Sequence, residues 1–338
     1  MAGNRFKHPT IHDVAQKAGV SKSLVSLVMR ESPHVSDDKR AAVMEAAAEL
    51  GYRPNAVARS LVRQRSGVFG CVLSDLHNPF FADVADGIEE VAFAQGYRTL
   101  LSSGFLDAER ESIAIDTLLQ MRVDALIMLG TLSSIDEMEK AARTVPVVVV
   151  GRTTASPFVD SVHDDGEAGA NLVVDHLVGL GHSRIAHISG GRGAGAAPRL
   201  AGYEAAMRRH GLRGEISIVE GAFTRDGGRS GMDTLLAGPH PTAVFAPNDY
   251  AAYGALESLD GHGLKVPEDV SVIGYDNLAF SRIGRIDLTT VAQPSRALGQ
   301  HAMELVMERV TGLRDDARHV VLAPELIVGS TTAGPVAS

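Results

Sequence analysis

The sequence predicts an α/β protein, in which a three-helix helix-turn-helix headpiece and a further short helix precede a two-lobed, doubly wound parallel-sheet domain. Three observations support this fold class. Residues 10–51 contain three short helical patterns, and from residue 68 short apolar runs alternate with helical segments. The basic charge is confined to the first fifth of the chain. Strand–helix alternation is typical of parallel sheets with helices on both faces.

The headpiece pattern contains its own start and stop signals. Thr10 begins a capping-box-like tetrapeptide that ends at Asp13, and Gly19 can end the helix that follows because glycine tolerates positive φ. Ser21 is placed to cap a second helix and Ser36 a third, while a later glycine closes the bundle. The short turn between the first two helices contains glycine, as a helix-turn-helix requires.

The rest of the chain carries about eight strand candidates before residue 276, which is too many for one compact half and predicts two lobes. The strand candidates are Val68–Leu73, Arg98–Leu101, Ala125–Leu129, Val145–Val150, Ile185–Ile188, Ile216–Glu220, Ala243–Ala246 and Val270–Tyr275. The helix candidates are Phe81–Gln95, Glu109–Met121, Gly166–Leu180, Leu200–His210, Gly227–Leu236 and Tyr250–Leu259. Ligands of such folds bind beyond the carboxyl ends of the strands, so we expect a site between the lobes.

Charge is distributed very unevenly along the chain. Residues 1–65 carry 11 Lys and Arg against 6 Asp and Glu, whereas the remaining residues carry 21 against 35. The net charge of −9 therefore hides a basic headpiece on an acidic body, which suggests a nucleic-acid partner for the headpiece.

Composition also indicates the compartment. No apolar run reaches the roughly 18 residues of a membrane span, and no apolar segment typical of a signal peptide follows the N-terminal charges. The single cysteine, Cys71, lies in an apolar run and can form no disulfide within the chain. We expect a cytoplasmic protein with no membrane partner. A solute-binding protein, which shares the two-lobed fold, would need a signal peptide and no headpiece.

The second helix of the headpiece is the candidate reading helix. Its N-terminal side chains, Lys22 and Ser23, would face base edges in the major groove, and Lys22 can donate to guanine. Leu27 can contact a thymine methyl group, while Ser26 and Thr10 suit phosphate contacts, which fix register. Pro54-Asn55 then opens another helical stretch of about one and a half turns, which is marginal alone in water.

From about residue 9 to residue 332 the chain closely resembles the lactose-repressor-like (LacI/GalR) transcriptional regulators. The segments that carry the resemblance are Thr10–Ser26, Val35-Ser36, Leu50–Leu61, Asn78–Phe81, Gly181–Ala186, Arg199–Tyr203, Asn248-Asp249, Val272–Asn277 and Thr289–Pro294. Their order and spacing make the resemblance specific. It implies a regulator, most naturally a repressor, that binds operator DNA as a homodimer under the control of a small-molecule effector.

The resemblance also assigns roles in DNA binding. It implies that residues 55–63 form a hinge helix that folds on the operator and enters the minor groove with its dimer partner. Leu61 would be the apolar wedge at the central base step, with Asn55, Ala56 and Arg59 beside it. Arg30 stands where the family frequently has Asn, so the docking mode is implied but the operator sequence is not.

The same resemblance predicts an effector site and domain boundaries. The predicted effector-binding residues are Phe80, Phe81, Arg199, Phe223, Asn248, Asp276 and Gln293. The predicted domains are the headpiece, 1–53; the hinge helix and linker, 54–66; the N-terminal lobe, 67–164 with 294–322; and the C-terminal lobe, 165–293 with 323–334. Effector binding would change the angle between the lobes, and so the spacing of the two hinge helices.

The residue types alone do not identify the effector. Arginine, carboxylate and amide groups beside phenylalanine rings suit a sugar, which we favour, and equally a nucleobase or nucleoside. A partner protein in place of a small effector is a further alternative. Trp, a common sugar-stacking side chain, is absent from the chain.

The sequence favours a binding protein over an enzyme. It contains no complete phosphate-binding or hydrolase motif and no metal-ligand spacing of His or Cys, and we expect neither a cofactor nor a metal. The glycine-rich run at residues 190–195 resembles a phosphate loop but does not complete one, and is predicted to lie at the mouth of the pocket. No leucine heptad follows residues 324–328, which favours a dimer over a coiled-coil tetramer.

Overall fold

A computed structural model describes residues 9–30, 32–53, 65–282 and 287–335, and the chain divides into two compact units, Met1–Ser66 and Gly67–Ser338. The predicted hinge residues Asn55, Ala56, Arg59 and Leu61 lie outside the described residues. None of the helices that the structure describes is both long and apolar enough to cross a membrane.

The first unit contains the three predicted helices, α1 (Ile11–Lys17), α2 (Lys22–Val28) and α3 (Asp37–Leu50). The capping box at the start of α1 is confirmed, since Thr10 and Asp13 each bond the other's backbone. Ser21 caps α2 through the Leu24 amide at 3.2 Å, and Gly51 ends α3 in the left-handed region. Ser36 precedes α3 without a capping hydrogen bond from its side chain. A small core holds the helices together: Val14, Ala15, Val25, Val28, Val35, Val43, Ala46 and Ala47.

The second unit begins with a six-stranded, fully parallel sheet of order β11-β5-β4-β3-β1-β2. Its strands are β1 (Val68–Leu73), β2 (Arg98–Ser103), β3 (Ala125–Leu129), β4 (Val147–Val150), β5 (Val159–Asp164) and β11 (His319–Leu322). Its helices are α4 (Pro79–Ala94), α5 (Ala108–Gln120), α6 (Ile135–Ala142) and α11 (Ser295–Val310). One apolar core lies under α4 and α11 and another under α5 and α6, so both faces of the sheet are covered.

A second six-stranded sheet has the order β12-β10-β9-β8-β6-β7, with only the edge strand β12 antiparallel. Its strands are β6 (Ile185–Ile188), β7 (Ser217–Val219), β8 (Ala243–Phe245), β9 (Ser271–Asp276), β10 (Thr289–Ala292) and β12 (Glu325–Ile327). Its helices are α7 (Gly166–Gly179), α8 (Ala196–Arg209), α9 (Arg225–Leu236) and α10 (Asp249–Gly261), with short 3₁₀ turns at Arg213–Glu215 and Ala279–Arg282. The chain passes between the two sheets after β5, after β10 and after β11.

The predicted fold class is confirmed, and one strand count is corrected. Nine strands, rather than about eight, precede residue 277, because β5 was not predicted. Strand β5 is almost fully buried although it reads Val-Asp-Ser-Val-His-Asp. Its buried Asp160 is tolerated because Arg314 donates to it at 2.8 Å, which balances the charge.

Candidate nucleic-acid interface and ligand pocket

Helix α2 of the first unit presents a polar surface opposite its core-facing side. Val25 and Val28 are buried, whereas Lys22 and Ser23 at its start are exposed, as is Leu27. An exposed leucine within a polar face is the side chain a thymine methyl group would cover. The predicted base-reading residues therefore lie on one accessible face of one helix.

The two predicted phosphate-contacting residues, Ser26 and Thr10, both make hydrogen bonds within the headpiece. Arg30 donates from Nη2 to Ser26 Oγ at 2.8 Å and from Nε to the Ser26 carbonyl at 3.2 Å. The Thr10 hydroxyl donates to Asp13 Oδ2 at 2.8 Å and accepts from the Asp13 amide. Thr10 therefore has less capacity for a phosphate than its sequence position suggests, whereas Arg30 is held along the exposed side of α2.

The second unit contains a pocket of about 570 Å³, its mouth included, at the carboxyl ends of strands from both sheets. Its lining residues are Ser74, Asp75, Asn78, Phe80, Phe81, Leu106, Gly130, Leu132, Gly151, Gly193, Ala194, Arg199, Phe223, Asp276 and Gln293. Six of the seven predicted effector residues are brought together here. The exception is Asn248, whose amide instead caps α10 through the Ala251 amide at 2.8 Å and contacts the Phe223 carbonyl at 3.4 Å.

Arg199, on α8, is the central cation of the pocket. It is buried, and its guanidinium carbon lies 3.7 Å from the centroid of the Tyr275 ring and 5.3 Å from that of Phe223. Nη1 donates to the Pro247 carbonyl at 2.6 Å, while Nη2 lies 3.9 Å from Asp276 Oδ1. Its Nε is buried and has no hydrogen-bond partner among the described residues. The guanidinium is thus fixed by stacking and by one carbonyl.

Asp276, the last residue of β9, faces Arg199 from a strained backbone position. Its φ is 113° and that of Asn277 is 57°, values that are uncommon in non-glycine residues and cluster at functional sites. Gln293 donates to Asp276 Oδ1 at 2.6 Å. Burial raises the pKa of the Asp276 carboxyl to about 8, because the opposing charge of Arg199 offsets only part of the desolvation. The group is therefore an acceptor whose charge changes near neutral pH.

The Phe223 ring packs against the glycine-rich loop of residues 190–195. A Cβ on Gly190 would lie 2.5 Å from the Phe223 ring, and one on Gly193 would lie 2.4 Å from it. The glycines at these positions therefore make room for an aromatic ring. Gly193 and Ala194 line the pocket, which agrees with the predicted location of the loop.

Replacing Gly193 with alanine is expected to push the Phe223 ring out of its seat and to weaken ligand binding at least about tenfold, because aromatic walls contribute strongly to small pockets. The matched control is Gly179→Ala at the end of α7, where a Cβ meets nothing within 4 Å. Isothermal titration of both variants measures the two affinities. Equal affinities would contradict the conclusion that Gly193 makes room for the Phe223 ring.

The sequence prediction missed several lining residues. Ser74 and Asp75 directly follow β1, a position whose polar character after a buried strand is a usable signal. Asn78 caps α4 by accepting from the Phe80 amide at 3.0 Å, and so orients the phenylalanine that follows. Asp164, the last residue of β5, is buried and accepts a hydrogen bond from the Tyr275 hydroxyl.

A helix-turn-helix unit followed by a two-sheet body with a pocket at the strand ends defines a ligand-responsive class of DNA-binding regulator. Residues 10–55 match the model of bacterial regulatory proteins, lacI family, and residues 174–332 match that of a periplasmic binding protein-like domain. The HTH-type transcriptional repressor PurR of Edwardsiella ictaluri is 35% identical, over 96% of this chain and 98% of that protein.

Two solved structures are similar along almost the whole chain. The lac repressor dimer bound to operator and the anti-inducer ONPF has 32% identity and a TM-score of 0.86, over 97% of this chain and 100% of that one. The transcriptional regulator CelR in complex with cellobiose has 31% identity and a TM-score of 0.72, over 96% and 100%. The chain belongs to the LacI family of DNA-binding transcriptional regulators.

Proposed function

We propose that the protein is a repressor that binds a palindromic operator as a homodimer, and that a sugar bound in the pocket changes its affinity for that operator. The buried group of Arg199, Asp276 and Gln293 beside Phe223 carries this proposal, since it supplies donors, acceptors and an apolar wall in one cavity. The cellobiose complex of a relative with 31% identity supports a sugar as the class of ligand.

The proposed DNA contacts divide between the grooves. Lys22, Ser23 and Leu27 would read bases in the major groove, and Ser26, Arg30 and Thr10 would contact the backbone. The proposed minor-groove residues are Asn55, Ala56, Arg59 and Leu61. Effector binding shifts operator affinity only as far as it favours one arrangement of the two lobes over the other.

A nucleobase or nucleoside is the second candidate for the effector. Phe80 and Phe81 form an edge-to-face pair with ring centroids 5.4 Å apart, and Phe223 adds a third ring. Such rings can stack on a flat base, and the amide and carboxylate acceptors would suit its N–H groups.

A thermal-shift screen of the full-length protein with neutral sugars and with nucleosides separates the two candidates, because a ligand that binds the folded state raises the melting temperature. Each hit is then titrated into a complex with labelled operator selected from a random DNA library. A sugar that shifts both the melting temperature and the anisotropy supports the proposal. A response to nucleosides alone favours the second candidate, and no response to either contradicts a small effector.

Replacing Lys22 with alanine is expected to weaken operator binding by about 1–3 kcal/mol and to relax preference at one base pair, since a lysine at the start of a reading helix donates to a base edge. Anisotropy titrations on the selected operator and its single-base variants measure this. Lys265→Ala, in the other unit, is the control for a lost exposed charge. An equal loss on every DNA sequence would indicate a phosphate contact instead.

A further inference from the structure

A second recess adjoins the pocket on its outer side. It has a volume of about 880 Å³, is open to solvent, and is lined by residues from both halves of the second unit. They are Asp75, His77, Phe105, Leu106, Thr224, Arg225, Asp226 and Tyr250. Asp75 and Leu106 also line the inner pocket, so the two spaces meet at these side chains. The outer recess is therefore the immediate neighbour of the pocket that contains Arg199 and Asp276.

The outer recess has an apolar wall formed by Phe105 and Leu106, and the Arg110 guanidinium lies 5.5 Å from the centroid of the Phe105 ring. Phe105 is 55% exposed and Leu106 is 46% exposed, although both are large and apolar. Their φ angles are 54° and 57°, so two consecutive non-glycine residues occupy the left-handed region. The Leu106 amide donates to the Ser74 carbonyl at 2.7 Å, which ties this turn to the end of β1. Such conformations persist only where the surrounding structure holds them, as this hydrogen bond does.

The charges of the recess select against an anionic ligand. Asp75 and Asp226 contribute carboxylates. Arg225 donates from Nε to both carboxylate oxygens of Glu257, at 2.8 and 2.9 Å, and His77 Nδ1 lies 3.0 Å from Asp75 Oδ1. Each of these two basic groups already faces a carboxylate, so a phosphate group would meet net negative charge. Hydroxyl groups, by contrast, can donate to carboxylates.

We propose that the effector is an uncharged disaccharide, with one ring in the inner pocket and the second ring in the outer recess. The second ring would lie against Phe105 and Tyr250, and its hydroxyl groups would donate to Asp226. Asp75, at the junction, is placed to accept from either ring. This inference rests on the proposed binding of a sugar in the inner pocket.

The test is isothermal titration of the full-length protein with matched neutral probes: glucose, cellobiose and maltose, galactose and lactose, and the nucleoside adenosine, together with glucose 6-phosphate. We expect at least one disaccharide to bind at least about tenfold more tightly than its constituent monosaccharide and than the phosphate. Phe105→Ala and Asp226→Asn should each reduce the disaccharide affinity by about tenfold and leave monosaccharide affinity within about twofold. Phe158→Ala is the matched control, because Phe158 is 57% exposed and lines neither space.

Each of the other outcomes would contradict a different part of the inference. A monosaccharide that binds as tightly as its disaccharide, or recess variants that weaken both ligands equally, would overturn the two-ring assignment and leave the sugar pocket standing. Tightest binding of glucose 6-phosphate would overturn the charge argument. Binding of adenosine alone, or of no probe, would overturn the inference together with the proposed sugar.

Discussion

Replacing Asp276 with alanine is expected to reduce effector affinity by at least about a hundredfold, which corresponds to about 2.7 kcal/mol. The variant removes the acceptor opposite Arg199 and releases the Gln293 amide from its 2.6 Å hydrogen bond. It also leaves the buried Arg199 guanidinium without the side chain that faces it, and removing one partner of a buried pair is costly. Isothermal titration measures the loss, and anisotropy with the operator separates it from any loss of DNA binding.

Asp276→Asn is the informative companion variant, because it keeps the shape of the side chain and one acceptor oxygen. We expect it to bind effector more weakly than the native protein and more tightly than the alanine variant. Asp260→Asn, at an exposed position of α10, controls for the loss of a charge elsewhere in the same half of the body. Native effector affinity in the alanine variant would contradict the role proposed for Asp276.

The titration of Asp276 leads to a pH dependence of stability. Its pKa rises from an ordinary 3.8 to about 8 on folding, because burial disfavours the carboxylate. The folded state therefore holds this proton more tightly than the unfolded state. The stabilisation is complete below the unfolded pKa and is lost as the pH rises through about 8.

The Asp276→Asn variant has no titratable group at this position. The difference in free energy of unfolding between the asparagine variant and the native protein should therefore grow with pH up to about 8, by at most about 1.4 kcal/mol per pH unit, and then level off. Urea denaturation at several pH values on either side of about 8 checks this. A difference that stays constant with pH would show that Asp276 titrates normally.

Periodic patterns explain why so much of the architecture followed from the sequence. Strands such as Val147–Val150 are continuous apolar runs between helical patterns, and several lining residues, such as Ser74 and Gln293, directly follow a strand. Strand β5 escaped prediction because its aspartates are satisfied by partners far along the chain, such as Arg314. A single sequence does not reveal such a pairing. The alternating polar residues of β5 resemble those of an exposed segment.

Asn248 illustrates the same limit within the site. Its residue type suits a ligand contact, yet its side-chain oxygen accepts from the Ala251 amide and caps α10. Residue type alone cannot distinguish a cap from a ligand-binding group, because both need the same amide chemistry. The seat that Gly190 and Gly193 provide for Phe223 likewise depends on a contact between distant segments.

The packing of helix α9 against helix α10, beside the second sheet, also depends on glycines. A Cβ on Gly254 of α10 would lie 1.8 Å from the Arg225 carbonyl oxygen, and one on Gly228 of α9 would lie 1.9 Å from the Ala251 carbonyl oxygen. The two helices therefore touch backbone to backbone, each through a glycine of its own. Main-chain atoms cannot rotate away as side chains can, so a larger residue must separate the helices.

Gly254→Val is accordingly expected to lower the free energy of unfolding by about 3 kcal/mol or more, since the helices must move apart over a well-packed core. For a body of this size, the melting temperature should fall by roughly 6–12 °C. The control is Gly261→Ala at the end of the same helix, where a Cβ meets nothing within 4 Å. That variant should be neutral or stabilising by up to about 1 kcal/mol, because alanine favours the helix. Equal melting temperatures for the two variants would mean that α9 and α10 can separate at little cost. The pocket residue Phe223, which precedes α9, could then move with that helix.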